Sequence, residues 1–134
     1  MSANPPSITV RQQGPAAPAG PGRWRLGFDV ANAGDAPVRL EAAWLPHGRL
    51  RAERHELDAL IAPGAWWTLA VEAAFREESG TKVENCFIIL RCASPLGERW
   101  QVLARFTVIA GEDGAPSCVP EATSVQPVGF GQHA

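Results

Sequence analysis

The chain has 134 residues, 46% of them apolar and 19% charged, with five Trp and five Phe; this excludes a disordered polypeptide and fits one domain that buries roughly two-thirds of its unfolded surface. Its 12 basic and 14 acidic residues leave a net charge of −2, too weak a field to imply nucleic acid or an anionic membrane as a partner. No stretch approaches the ~20 apolar residues of a membrane span, and "MSANPPSITV" lacks both the basic and the apolar run of a secretory leader, so the expectation is a soluble, cytoplasmic protein without membrane insertion.

Period-two alternation is the main structural signal. The chain opens with a first predicted strand in "PSITVRQQ" (6–13), followed by a Pro/Gly loop, "GPAAPAGPG" (14–22). In "RWRLGFDVAN" (23–32), Trp24, Leu26, Phe28 and Val30 share one face and Arg23, Arg25 and Asp29 the other. "PVRLEAAWL" (37–45) repeats the pattern, with Val38, Leu40, Ala42 and Trp44 expected inward and Leu45 outward. Between these two strands, "NAGDAP" supplies Asn, Gly, Asp and Pro, each a turn former for its own steric or hydrogen-bonding reason. The stretch is therefore a β-hairpin or a corner between sheets.

"GRLRAERHELDALIA" (48–62) is read as either a strand or a short helix. "APGAWWTLAVEAAF" (62–75) places Trp67, Leu69, Val71, Ala73 and Phe75 on one face, with Trp66 opposite, and "REESGTK" returns the chain. "VENCFIILRC" (83–92) is apolar on both faces, as a central strand would be. Its alternation leaves two orientations open: Cys86, Ile88, Leu90 and Cys92 inward with Phe87 and Ile89 outward, or the reverse. "RWQVLARFTVIA" (99–110) follows the hairpin turn "SPLGE", with Leu103 on the face away from Val102 and Ala104. From residue 111 onward periodicity fades, and an irregular, mobile tail over 111–134 is expected after a domain over 1–110.

Short strands, frequent turn signals and no alternating helices predict an all-β antiparallel immunoglobulin-like β-sandwich of about seven strands. The order "FDVANAGDAPVRL" and then "LIAPGAWWTLAVE" resembles bacterial immunoglobulin-like modules of the CARDB kind, over about residues 24–109. In those modules an Asn-x-Gly-Asp corner joins two strands and a Leu-x-Pro-Gly turn precedes the next. The resemblance implies a non-catalytic binding or spacer unit. The same corner is similar to that of copper-handling periplasmic β-sandwiches, but these need several Met and His ligands, and Met1 is the single Met.

Catalytic and metal motifs are wanting. "HELDA" begins like a zinc-protease helix, yet Ala59 stands where the second His belongs. His47, His55 and Cys118 have no ligand spacing, Cys86 and Cys92 lie on a predicted core face, and no glycine-rich phosphate loop opens a helix. No catalytic residue, metal or cofactor is therefore assigned. Arg49, Arg51 and Arg54 are accompanied by Glu53, Glu56 and Asp58 and read as a solvated, nearly neutral face.

The aromatic and aliphatic residues carry the functional expectation. With Cys86 and Ile88 inward, Phe87, Ile89, Leu103 and Leu45 form an apolar patch on an outer sheet face, a feature uncommon on soluble monomers unless something covers it. Trp66 is a separate exposed anchor, and Phe130 in the tail is a further contact candidate. The expected function is protein–protein contact or self-association as an accessory or assembly subunit. The alternative is a carbohydrate or small-molecule module that stacks its ligand on Trp66.

Overall fold

The computed structural model describes residues 5–128. Among these residues the secondary structure is all β, in nine strands: β1 Ile8–Gln12, β2 Ala17–Pro18, β3 Arg23–Asn32, β4 Val38–Pro46, β5 Arg51–Ile61, β6 Trp66–Ala74, β7 Lys82–Ala93, β8 Arg99–Ala110 and β9 Pro116–Pro127. Neighbours run antiparallel in the order β1-β3-β6-β5-β4-β7-β8-β9, with β2 paired to β3 beside that path. The sheet is nearly closed and barrel-like, which differs from the expected seven-strand sandwich. β5 and β6 are joined at one residue pair only, Arg51 opposite Ala74. At the other seam the Gln12 side chain spans from β1 to β9: its Oε1 accepts from the Cys118 N–H at 2.6 Å and its Nε2 donates to the Pro116 carbonyl at 3.3 Å.

Three segments supply the strands beyond the six read from alternation, one of them the two-residue β2 within the Pro/Gly loop 14–22. The ambiguous segment after "LPHG" is the strand β5, and the segment expected as an irregular tail supplies β9, which pairs with β8 from Pro116 opposite Ala110 to Pro127 opposite Trp100. The sheet thus continues past the boundary placed at residue 110. β9 escaped periodicity because residues 119–124 are all exposed, and alternation appears only where one face of a strand is buried.

The core is filled by the inward faces of β3 (Leu26, Phe28, Val30), β6 (Leu69, Val71, Ala73), β7 (Cys86, Ile88, Leu90, Cys92) and β8 (Val102, Ala104, Phe106, Val108), with Phe28 and Phe106 rings 6.0 Å apart. Leu45 is a correction: expected on the outer face, it is 0% exposed and sits in the core opposite Ala52. Against β7, Leu40 lies opposite Cys92 and Ala42 opposite Arg91, so two steps along β4 match one along β7 and β4 holds one extra residue there, whereas both irregularities against β5 place the extra residue on β5. The extra residue in β4 exchanges its faces beyond that point. Ala42 and Ala43 are consequently both buried, Leu45 turns inward and Trp44 turns outward.

β3 and β4 are not paired with each other, so the "NAGDAP" stretch is a crossover corner and not a hairpin. Asn32 holds it. Its Nδ2 donates to the carbonyls of Ala36 (2.8 Å) and Ile61 (3.0 Å), and its Oδ1 accepts from the Gly34 N–H (3.0 Å). Its own backbone exchanges bonds with the next turn, Asn32 N to Ala65 O at 2.9 Å and Gly64 N to Asn32 O at 2.8 Å. Gly64 has φ +77°, a conformation that favours glycine for want of a Cβ. The two turn motifs quoted from the sequence therefore meet at one buried amide.

Candidate functional site

The outer face of β4, β7 and β8 is built by cross-strand register. Trp44 lies opposite Ile89, Ile89 opposite Leu103, and Leu103 opposite Ser124 of β9. Two residue pairs along, Phe87 lies opposite Arg105, which lies opposite Ala122. Directly opposed side chains stand about 5 Å apart at Cβ, so Trp44, Ile89 and Leu103 form one contiguous apolar row, and Phe87 adjoins it as the next residue on the same face of β7 as Ile89. All four are half-buried. They stand apart from the half-buried apolar residues that pack on the core, which are Ala16, Trp24, Leu57, Ala65, Trp67 and Val125.

Arginines frame this surface. The guanidinium of Arg54 lies 5.2 Å from the Trp44 ring centroid and that of Arg91 lies 6.0 Å away, distances at which the cation is attracted to the ring face. Arg91 Nε also donates to Gln101 Oε1 at 3.0 Å, and Arg54 is tied to Glu56. The indole is thus held by cations from two neighbouring strands. Sequence reasoning missed Trp44 because its alternation was counted through the bulge of β4. The signal available was the adjacent pair Ala42 and Ala43, where two small residues in a row leave the phase of the strand undefined.

The remaining contact candidates fall elsewhere. Trp66 is 66% exposed on β6, opposite Ala31, and does not adjoin the patch. It lines none of the three cavities at Trp100, Cys118 and Phe75. Phe130 lies outside the described residues.

The rest of the molecule offers little chemistry. The cavity at Trp100, also lined by Pro5, Pro6, Pro37 and Pro95, holds about 60 Å³, room for a few waters. The larger one, about 380 Å³ and wide open, is walled by small residues around Cys118, with Gln12 already committed to the β1–β9 seam. Burial pushes the Cys86 thiol up to about 11, partly offset by the Arg49 charge, and pushes Cys92 and Cys118 up to about 12, with Glu41 and Cys86 respectively adding to the effect. Thiols so shifted are protonated, poor nucleophiles at neutral pH.

Several arginines are paired with carboxylates at the surface. Arg51 bonds Glu53, Arg54 bonds Glu56, Arg39 bonds Asp58 and Arg23 bonds Glu72. The Arg49 side chain hydrogen-bonds Glu77, which holds that carboxyl below its ordinary range and raises the guanidinium. Among the described residues no three His, Cys, Asp or Glu side chains converge as metal ligands would, and no helix is long and apolar enough to cross a membrane.

The chain matches no model of a known protein family, and no curated protein sequence matches it significantly.

Proposed function

We propose that this chain is a non-catalytic protein-contact module, an immunoglobulin-like β-domain related in kind to CARDB modules, which binds a protein partner through the outer face of β4, β7 and β8. The observation that carries the reading is the contiguous row Trp44, Ile89 and Leu103 with Phe87 beside it, half-buried yet outside the core. An aromatic held between two arginines and bordered by aliphatic side chains has the composition of an interface hot spot: a rigid apolar anchor at the centre with cations at its margin.

Leu103→Asp tests the proposal. A carboxylate in the middle of the row is solvated in the free domain but desolvated against a partner, and it should weaken association by about 2 kcal/mol or more, some thirtyfold. A tagged full-length chain is used to recover stoichiometric partners from its native lysate, beside the variant, with circular dichroism on both. The reading predicts that the variant keeps its fold and loses the partner. It fails if the variant unfolds, since Leu103 would then be core, or if both proteins recover the same partner at equal yield.

A further inference from the structure

We infer that β9 offers its free edge to a second copy of this chain, in an antiparallel two-fold register centred on Ser124. β9 is twelve residues long and is paired with β8 except at one bulge residue, Glu121, leaving 122–127 in regular register, while on its other side the side chain of Gln12 reaches only Pro116 and Cys118. Among the described residues, no backbone hydrogen bond joins another strand to the second edge of β9 over 121–126. Residues 121–124 are exposed in succession, so both faces as well as that edge are open there. Alternate N–H and C=O groups of such an edge point outward, a ready template for another strand.

The window is bounded and self-complementary. Pro120 and Pro127 close it at the two ends, because neither has an N–H to donate, and every residue between them has one. A two-fold axis normal to the sheet requires one residue to face its own copy, with neighbours paired symmetrically about it. Centring on Ser124 sets hydroxyl against hydroxyl, Thr123 against Val125 and Ala122 against Gln126. Glu121, the one charged residue of β9, falls opposite Pro127 and not opposite itself, so no like charges meet. Lysine, the usual guard of an exposed edge, is missing from this strand.

The same register joins the two sheets across one continuous face. Ser124 already closes the row Trp44, Ile89, Leu103 within one copy, so pairing Ser124 with Ser124 extends that row into the second copy and sets two apolar patches side by side. The inference depends on the edge and not on the patch, and the two fail separately.

Solution mass of the full chain by light scattering over a concentration series is the first readout, with dimer formation expected. Register is read by oxidative crosslinking. A residue on the axis meets its copy at a Cα separation of about 4.5 or 5.5 Å, within disulfide reach, whereas copies of residue 123 lie ~8 Å apart at ~3.4 Å per residue. Ser124→Cys should therefore crosslink and Thr123→Cys should not; Cys86, Cys92 and Cys118 are buried. Ser124→Asp and Ser124→Lys should each weaken the dimer about tenfold or more without unfolding an exposed position, and an equimolar mixture should restore it. A full chain monomeric at every concentration, equal crosslinking at 123 and 124, or wild-type mass for Ser124→Asp overturns the inference. If Leu103→Asp loses its partner while Ser124→Asp keeps its mass, the edge fails and the contact face stands.

Discussion

Asn32 is the residue on which the crossover depends. It is 1% exposed, and its side chain satisfies two carbonyls and one N–H from the corner and from the end of β5. An amide suits this place because it presents a donor and an acceptor on one short planar group. Asn32→Ala leaves three backbone groups without that partner, beside the cavity of about 60 Å³ that Asn32 itself lines. At ~1 kcal/mol per bond the expected loss is about 3 kcal/mol, a large share of the 5–15 kcal/mol that holds a typical domain. Urea unfolding checks it; a loss below ~1 kcal/mol would mean that water replaces the side chain at low cost. Asn32→Asp should be worse than Ala at neutral pH, because a carboxylate would face two carbonyl oxygens.

At the scale of the element, local irregularities decide what each strand presents. Most strands were legible because each has one wet and one buried face: the segments 23–32 and 99–110 read from alternation coincide with β3 and β8. Face assignment beyond a bulge was not legible, since the extra residue leaves no mark in composition. β4 misplaced Trp44 and Leu45 in this way. β7 has its own irregularity between Val83 and Cys86, and there Asn85 adopts φ +60°. Asn tolerates that left-handed conformation far better than a β-branched residue does. This bulge sets the phase that turns Cys86 and Ile88 inward and Phe87 and Ile89 outward. Asn85→Val should cost roughly 1–2 kcal/mol, while Asn85→Gly should stay within about 0.5 kcal/mol of the parent. Denaturant midpoints of the two variants give the comparison, and equal stability would show that the bulge relaxes without strain. The contact face was therefore partly legible: period two set Phe87 and Ile89 together on one face and Leu103 away from Val102, but it left open which face of 83–92 is core, and it placed Trp44 on the wrong face.

At the scale of the whole molecule, the core contains three protonated thiols distributed over β7 and β9. Their ordinary value is near 9, and burial moves them to about 11 at Cys86 and about 12 at Cys92 and Cys118. Between those limits the unfolded chain has released protons that the folded chain still holds. Stability therefore falls as pH rises through this window, is fully retained below about pH 9, and levels off above the folded values. The slope approaches ~1.4 kcal/mol per pH unit for each thiol. Cys86 and Cys92 lie inside the sheet, so ionising either places charge where water is excluded, whereas Cys118, 8% exposed beside the Gln12 bridge, borders the open cavity at the seam. Urea unfolding from pH 7 to pH 11 should give a level stretch followed by a steep decline. A variant with Cys86→Ala, Cys92→Ala and Cys118→Ala, less stable at neutral pH for the cavities it opens, should lose most of that decline. Parallel curves for the two proteins would assign the alkaline loss to other groups and leave the thiols without a part in it.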